Sequence, residues 1–118
     1  MISKNKLILS TASIFKDKFK NKPDIISLAP GRINIIGEHT DYNLGLAIPS
    51  AINRWICIAI SKQKGSSIRI YNNNYKVALK FSLSDINHKD CSWMDLIYRT
   101  FSLFKNEYNL NNSFNIII

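Results

Sequence analysis

The sequence predicts an α/β chain in which helices pack on a sheet, and three patterns carry that prediction. Apolar residues recur at helical spacing near the start (Ile8, Ala12, Phe15, Phe19) and again late in the chain (Trp93, Leu96, Ile97, Phe101, Phe104, Tyr108). Between them lies a long run, Ala51 to Lys62, that is apolar on both alternating faces. After it, Tyr75, Val77, Leu79 and Phe81 alternate strictly with Lys76, Ala78 and Lys80.

Each element follows in order. The first helix is stopped by Pro23, and its lysines (Lys16, Lys18, Lys20, Lys22) form a solvated face. Ile25 to Ala29 is a short strand that runs into Pro30-Gly31, and Ile33 to Ile36 is a second short apolar piece closed by Gly37. In the run 51–62, Ile52, Ile56, Ile58 and Ile60 share one face, with Arg54 as the exception. Trp55, Cys57 and Ala59 share the other, so this strand belongs inside a sheet covered on both sides. Ile68 and Ile70 mark the next strand, and Asn72-Asn73-Asn74 is a turn that hairpins it to Tyr75–Phe81. Ser92 is the expected N-cap of the late helix, with Asp95 three residues on as in a capping box. Asn109 to Asn112 is a loop, and Phe114 to Ile118 opens a last strand that is expected to present an unpaired, aggregation-prone edge.

Composition narrows the function classes. The chain has 118 residues, suited to one domain or part of one, with 46% hydrophobic and 20% charged residues, which argues against disorder. Net charge is +8. Of the 16 basic residues 12 are Lys, and Ile, Asn and Lys together supply 46 positions, so the basicity reads as compositional bias rather than a nucleic-acid footprint, which favours Arg and interleaved aromatics. The two cysteines, Cys57 and Cys91, are far apart, and with two histidines a structural zinc site is not expected. No secretory leader or membrane-length apolar run is read, so the expected setting is cytoplasmic, without membrane or nucleic-acid partner.

Chemistry is concentrated in Ala29 to Pro49, APGRINIIGEHTDYNLGLAIP. Arg32, Glu38, His39 and Asp41 fall within ten positions, punctuated by Gly31, Gly37 and Gly45. Carboxylates accept hydrogen bonds from hydroxyls, a neutral His can donate or accept, and Arg stabilises negative charge, so the set suits recognition of a polyol. Taken singly, each residue also has a plain structural reading. Arg32 could pair with Glu38 or Asp41, Glu38 could cap, and Asp41-Tyr42-Asn43 could be an Asx turn.

As one string, APGRINIIGEHTDYNLGLAIPSAI resembles the galactokinase signature of the GHMP kinase superfamily, with GEHTDYN as its specific core. The resemblance implies the α/β fold of that superfamily, an α+β two-layer mixed sheet with helices. Residues 1–118 would be its N-terminal galactose-recognition part, with no second domain. It implies phosphoryl transfer from Mg-ATP to the anomeric hydroxyl of galactose, with ATP and Mg²⁺ as cofactors and galactose as small-molecule partner. By that likeness Glu38, His39, Thr40 and Asp41 hold the sugar, and Arg32 stabilises charge at the reacting hydroxyl. Asn34 and Tyr42 match signature positions and are read as scaffold. Trp93 matches a family Trp near the adenine, although the family's W-x-N-Y is here Trp93-Met94-Asp95-Leu96, without the tyrosine. The family's Gly- and Ser-rich phosphate loop, its catalytic base and its metal ligands are not found in these residues, so the chain alone is expected to lack kinase activity. A non-catalytic sugar-binding remnant and a truncated gene product are the alternatives.

Overall fold

Ser3 opens the first helix by accepting a hydrogen bond from Lys6 N–H at 3.3 Å, as an N-cap does. The helix, α1 (Lys4–Phe19), ends at Lys20, whose left-handed backbone (φ 59°) lets its N–H reach Lys16 O at 2.9 Å. Pro23 lies just beyond, so the helix ends ahead of the proline. The computed structural model describes residues 3–84 and 93–118, apart from the side chain of Asp41. After α1 come β1 (Ile25–Ile36), β2 (Ile48–Gln63), β3 (Ser67–Asn72), β4 (Val77–Ser82), α2 (Trp93–Tyr108) and β5 (Ser113–Ile117). The expected cap at Ser92, and Cys91, lie outside the described residues.

The strands form one five-stranded mixed sheet in the order β1-β2-β5-β3-β4. Only β3 and β5 run parallel; the other neighbours are antiparallel. The expected hairpin is β3–β4, in register from Asn72↔Val77 to Ser67↔Ser82. Its turn is built by Asn72, whose Oδ1 accepts from the N–H groups of Asn74 (3.0 Å) and Tyr75 (3.1 Å). That turn takes up Tyr75 and Lys76 (φ 55°), so β4 starts two residues later than the alternation suggests.

Two sequence expectations are corrected. Ile25–Ala29 and Ile33–Ile36 are one strand, not two. β1 lies at the sheet edge, where the missing N–H of Pro30 costs no ladder bond on its open side. The break survives only as a jump in register, from Pro30↔Trp55 to Gly31↔Ile52. The last strand is not an exposed edge either. β5 is inserted between β2 and β3, and Ile118 continues the pairing through its N–H to Tyr71 O (3.0 Å) and its carbonyl to Asn73 N–H (2.8 Å). The edges are β1 and β4.

Alternation along the central strands sends side chains to two cores. Phe15, Ala59 and Ile117 are buried under α1, joined by Ile14, Phe19 and Ile26. Ile68, Ile70, Phe81, Tyr98 and Ile116 are buried on the opposite face under α2, joined by Ile58 and Ile60. The mixed sheet with helices is as expected, and the helices take opposite faces, which covers β2 on both sides from Cys57 to Ser61, while its first half, with Ile48 and Ile56 more than half exposed, stays open. Two buried polar groups are paired: Asn115 Oδ1 accepts from Arg69 Nε at 2.8 Å, and Ser61 Oγ from Asn21 Nδ2 at 3.2 Å, whereas Asn21 Oδ1 is buried without a partner.

The second core is less closed than the first. The apolar stripe expected along α2 is rotated, with Met94, Ile97, Tyr98 and Phe101 meeting the sheet. Leu96 and Phe104 flank an open apolar cleft of about 460 Å³ against Ile58, Ile60 and Ile116. Among the described residues no helix is long and apolar enough to cross a membrane.

Candidate sugar-binding site

The candidate residues sit on the β1–β2 arm. Arg32 is on β1, paired with Ala51 of β2, and its side chain is exposed. The ladder closes at Ile36↔Ile48, and residues 37–47 form the connecting loop. Glu38 and His39 are exposed on it and Thr40 is half-buried. Asp41 opens a short 3-10 turn, Asp41–Asn43. The string therefore places Arg32 on the strand and Glu38, His39, Thr40 and Asp41 at the head of the loop, as the sequence expects.

The loop has a definite shape because its own atoms hold it. Gly37 has φ +97°, and a Cβ there would stand 2.5 Å from Leu46 O and 2.6 Å from Ala47 Cα. Only glycine lets the two ends of the loop approach this closely. Thr40 is the hub. Its Oγ1 lies 2.7 Å from Gly37 O and 2.9 Å from Leu46 O, and its carbonyl accepts from the N–H groups of Asn43 (3.0 Å) and Gly45 (2.8 Å). Gly45 is packed on it, since a Cβ there would be 2.8 Å from Thr40 Cβ. The Thr40 hydroxyl hydrogen is thus committed to the loop, leaving oxygen lone pairs as its remaining capacity.

His39 has a left-handed backbone, φ 60°, a region His enters more readily than most residues. Its carbonyl is held by Asn43 Nδ2 at 2.7 Å. Its Nδ1 shares a hydrogen bond with Tyr42 Oη, the rings meeting edge to face with centroids 5.8 Å apart. Sequence reasoning left Tyr42 and Asn43 out of the site. The signal was their spacing, three and four residues after the histidine within a turn. Among the described residues Arg32 and Glu38 form no ion pair, so the structural pairing considered for these two is not made and both charges face solvent.

The arrangement combines an acceptor-only carboxylate (Glu38), an imidazole beside it and a guanidinium on the neighbouring strand, all open to solvent on a loop braced from within. An exposed apolar surround accompanies it: Ile35, Ile36, Leu44, Leu46 and Ile48 are all more than half exposed. Trp93 stands apart, at the start of α2, stacked on Tyr75 from the β3–β4 turn with centroids 5.7 Å apart and planes at 20°. Among the described residues no group of three His, Cys, Asp or Glu is placed to hold a metal ion.

A family model described as the galactokinase galactose-binding signature matches residues 13–62, which include Arg32, Glu38, His39, Thr40 and Asp41. The galactokinase of Staphylococcus carnosus (strain TM300) is 34% identical over 116 residues, 95% of this chain and 30% of that protein. The galactokinase of Staphylococcus saprophyticus is 35% identical over 108 residues, 88% of this chain and 28% of that one. Lactococcus lactis galactokinase, crystallised with galactose, superposes with a TM-score of 0.77 at 24% identity over 94% of this chain and 30% of its own. Methanococcus jannaschii mevalonate kinase does so with 0.63 at 19% identity, over 79% and 31%. The structural likeness shows a GHMP kinase fold. In sequence, the chain resembles the N-terminal portion of galactokinases and spans under a third of the length of the curated relatives it matches.

Proposed function

We propose that this galactokinase-like chain, bearing the galactose-binding signature, supplies the sugar-recognition part of a hexose kinase site. Glu38, His39 and Asp41 engage ring and exocyclic hydroxyls of galactose. Thr40 holds the loop that carries them and offers only lone pairs to a ligand. The observation that carries the reading is the braced 37–47 loop, which presents Glu38 and His39 to solvent within the signature-matching segment.

The activity proposed for the whole protein is transfer of the γ-phosphoryl of ATP to the anomeric oxygen of galactose. In that reaction Arg32 stabilises the charge that develops near the anomeric oxygen, by position and electrostatics rather than by covalent chemistry. ATP and Mg²⁺ remain part of this proposal, with Trp93 as the only residue here assigned to the nucleotide. The 118 residues contain no Gly- and Ser-rich phosphate cradle, so the chain alone is proposed not to turn over. A cytoplasmic setting, where ATP is present, goes with this reading.

The test is a galactose titration of the purified chain by calorimetry and by backbone NMR. Saturable binding with shifts confined to residues 32–47, lost in Asp41→Ala, is expected. A flat titration of a folded chain refutes the sugar-binding reading. Galactose 1-phosphate formed from ATP and galactose by this chain refutes the claim that it is inactive alone.

A further inference from the structure

We infer that Tyr42 is a positioning residue that locks the tautomer of His39, so that His39 Nε2 presents an N–H donor to the sugar. The inference rests on the galactose-binding reading of the loop and adds to it a residue that a signature alone leaves as scaffold.

Tyr42 is 70% exposed, so its ring is not placed by core burial. What it does make is the hydrogen bond between its hydroxyl, carried on the 3-10 turn Asp41–Asn43, and Nδ1 of His39, which precedes that turn with a left-handed backbone. The proton in that bond has a preferred owner. A phenol O–H is a stronger acid than a neutral imidazole N–H, and an unprotonated imidazole nitrogen is a stronger base than a phenol oxygen. Tyr42 Oη therefore donates and Nδ1 accepts. A neutral imidazole has one N–H, so the proton sits on Nε2, the nitrogen away from Tyr42. The backbone of His39 is held at φ 60° with its carbonyl bonded to Asn43 Nδ2, so the ring is anchored at both ends.

The consequence is complementarity to a hydroxyl group. A hydroxyl donates once and accepts twice. Glu38 can only accept and the locked His39 donates, so a sugar hydroxyl reached by both would have its hydrogen and one oxygen lone pair satisfied. With the other tautomer, His39 and Glu38 would both present acceptors and compete for a single hydrogen.

The experiment is ¹⁵N NMR of the imidazole nitrogens in the 118-residue chain at about pH 8, above the ordinary imidazole pKa of about 6.5. The two histidines are told apart by His39→Gln. The expected result is that the wild type shows well-separated Nδ1 and Nε2 signals in the Nε2–H pattern, and that Tyr42→Phe draws them together as tautomers mix. Galactose affinity should fall about 2- to 12-fold, as for loss of one hydrogen bond. Tyr42→Phe removes one oxygen from an exposed ring, and an unchanged backbone spectrum shows that the fold is kept. An Nδ1–H pattern in the wild type, or the same separation in Tyr42→Phe, overturns the inference. If the lock is present and lost as expected but no variant binds galactose, the tautomer inference stands and the sugar-binding reading falls.

Discussion

Gly37→Ala separates shape from chemistry in the candidate site. Two costs arise. A left-handed backbone is unfavourable for alanine by roughly 1–2 kcal/mol. The new Cβ would also meet Leu46 O at 2.5 Å and Ala47 Cα at 2.6 Å, and both are backbone atoms that no rotamer change can move. The loop must shift, at about 1–3 kcal/mol by analogy with overpacking. The total is about 2–5 kcal/mol, a large share of the roughly 5–15 kcal/mol that holds a small domain. Gly65 is the internal control. It too has a positive φ, +114°, but a Cβ there meets nothing nearer than Ser113 Cβ at 3.8 Å. Gly65→Ala should therefore show only the conformational part. Urea unfolding of both variants isolates the steric part as their difference, and the galactose titration should weaken for Gly37→Ala alone. If the two variants lose the same stability within about 0.5 kcal/mol, the claim that Gly37 is required by close approach at the neck of the loop is wrong.

Other expected outcomes follow the same contacts. Thr40→Val removes the hydroxyl that bonds Gly37 O or Leu46 O and should cost about 1 kcal/mol, with Thr40→Ser recovering most of it in thermal melts. Phe15→Ala empties a fully buried position between α1 and the sheet. A loss of about 3–5 kcal/mol by urea unfolding is expected, and a loss below 1 kcal/mol would show that α1 is not docked there. Arg69→Met orphans Asn115 Oδ1 inside the sheet and should cost about 1–3 kcal/mol, whereas the double variant Arg69→Met/Asn115→Leu should regain part of it. Asn72→Ala removes the acceptor for two turn N–H groups, so amide exchange at Asn74 and Tyr75 should accelerate before that of β5 does.

Much of the local structure was legible because it is encoded locally. The helical repeat from Ile8 to Phe19, the two-faced apolar run of β2, the Asn-rich turn of the hairpin and the signature string each depend on residues close in sequence. Order among the strands did not show. Ile116-Ile117-Ile118 looks like an exposed end when read alone, and only the placement of β5 between β2 and β3 sends Ile116 to one core and Ile117 to the other. The rotation of α2 was hidden for a similar reason. Its apolar residues cover too much of the helix for periodicity to say which of them meets the sheet, and contact with Phe81 selects Tyr98 and Phe101.

The site divides along the same line. By itself the sequence determined which groups the loop carries, since Arg32, Glu38, His39 and Asp41 and the glycines among them are read directly as residue types in a specific string. Tertiary structure decided what each can still do. It spends the Thr40 hydroxyl hydrogen on the loop, leaves Glu38 and Arg32 unpaired with each other, sets Tyr42 on His39 and brings Tyr75 to Trp93. The physical reason is that a side chain's chemical type is covalent and written in the chain, whereas its free hydrogen-bonding capacity is what remains after its neighbours in space have been satisfied.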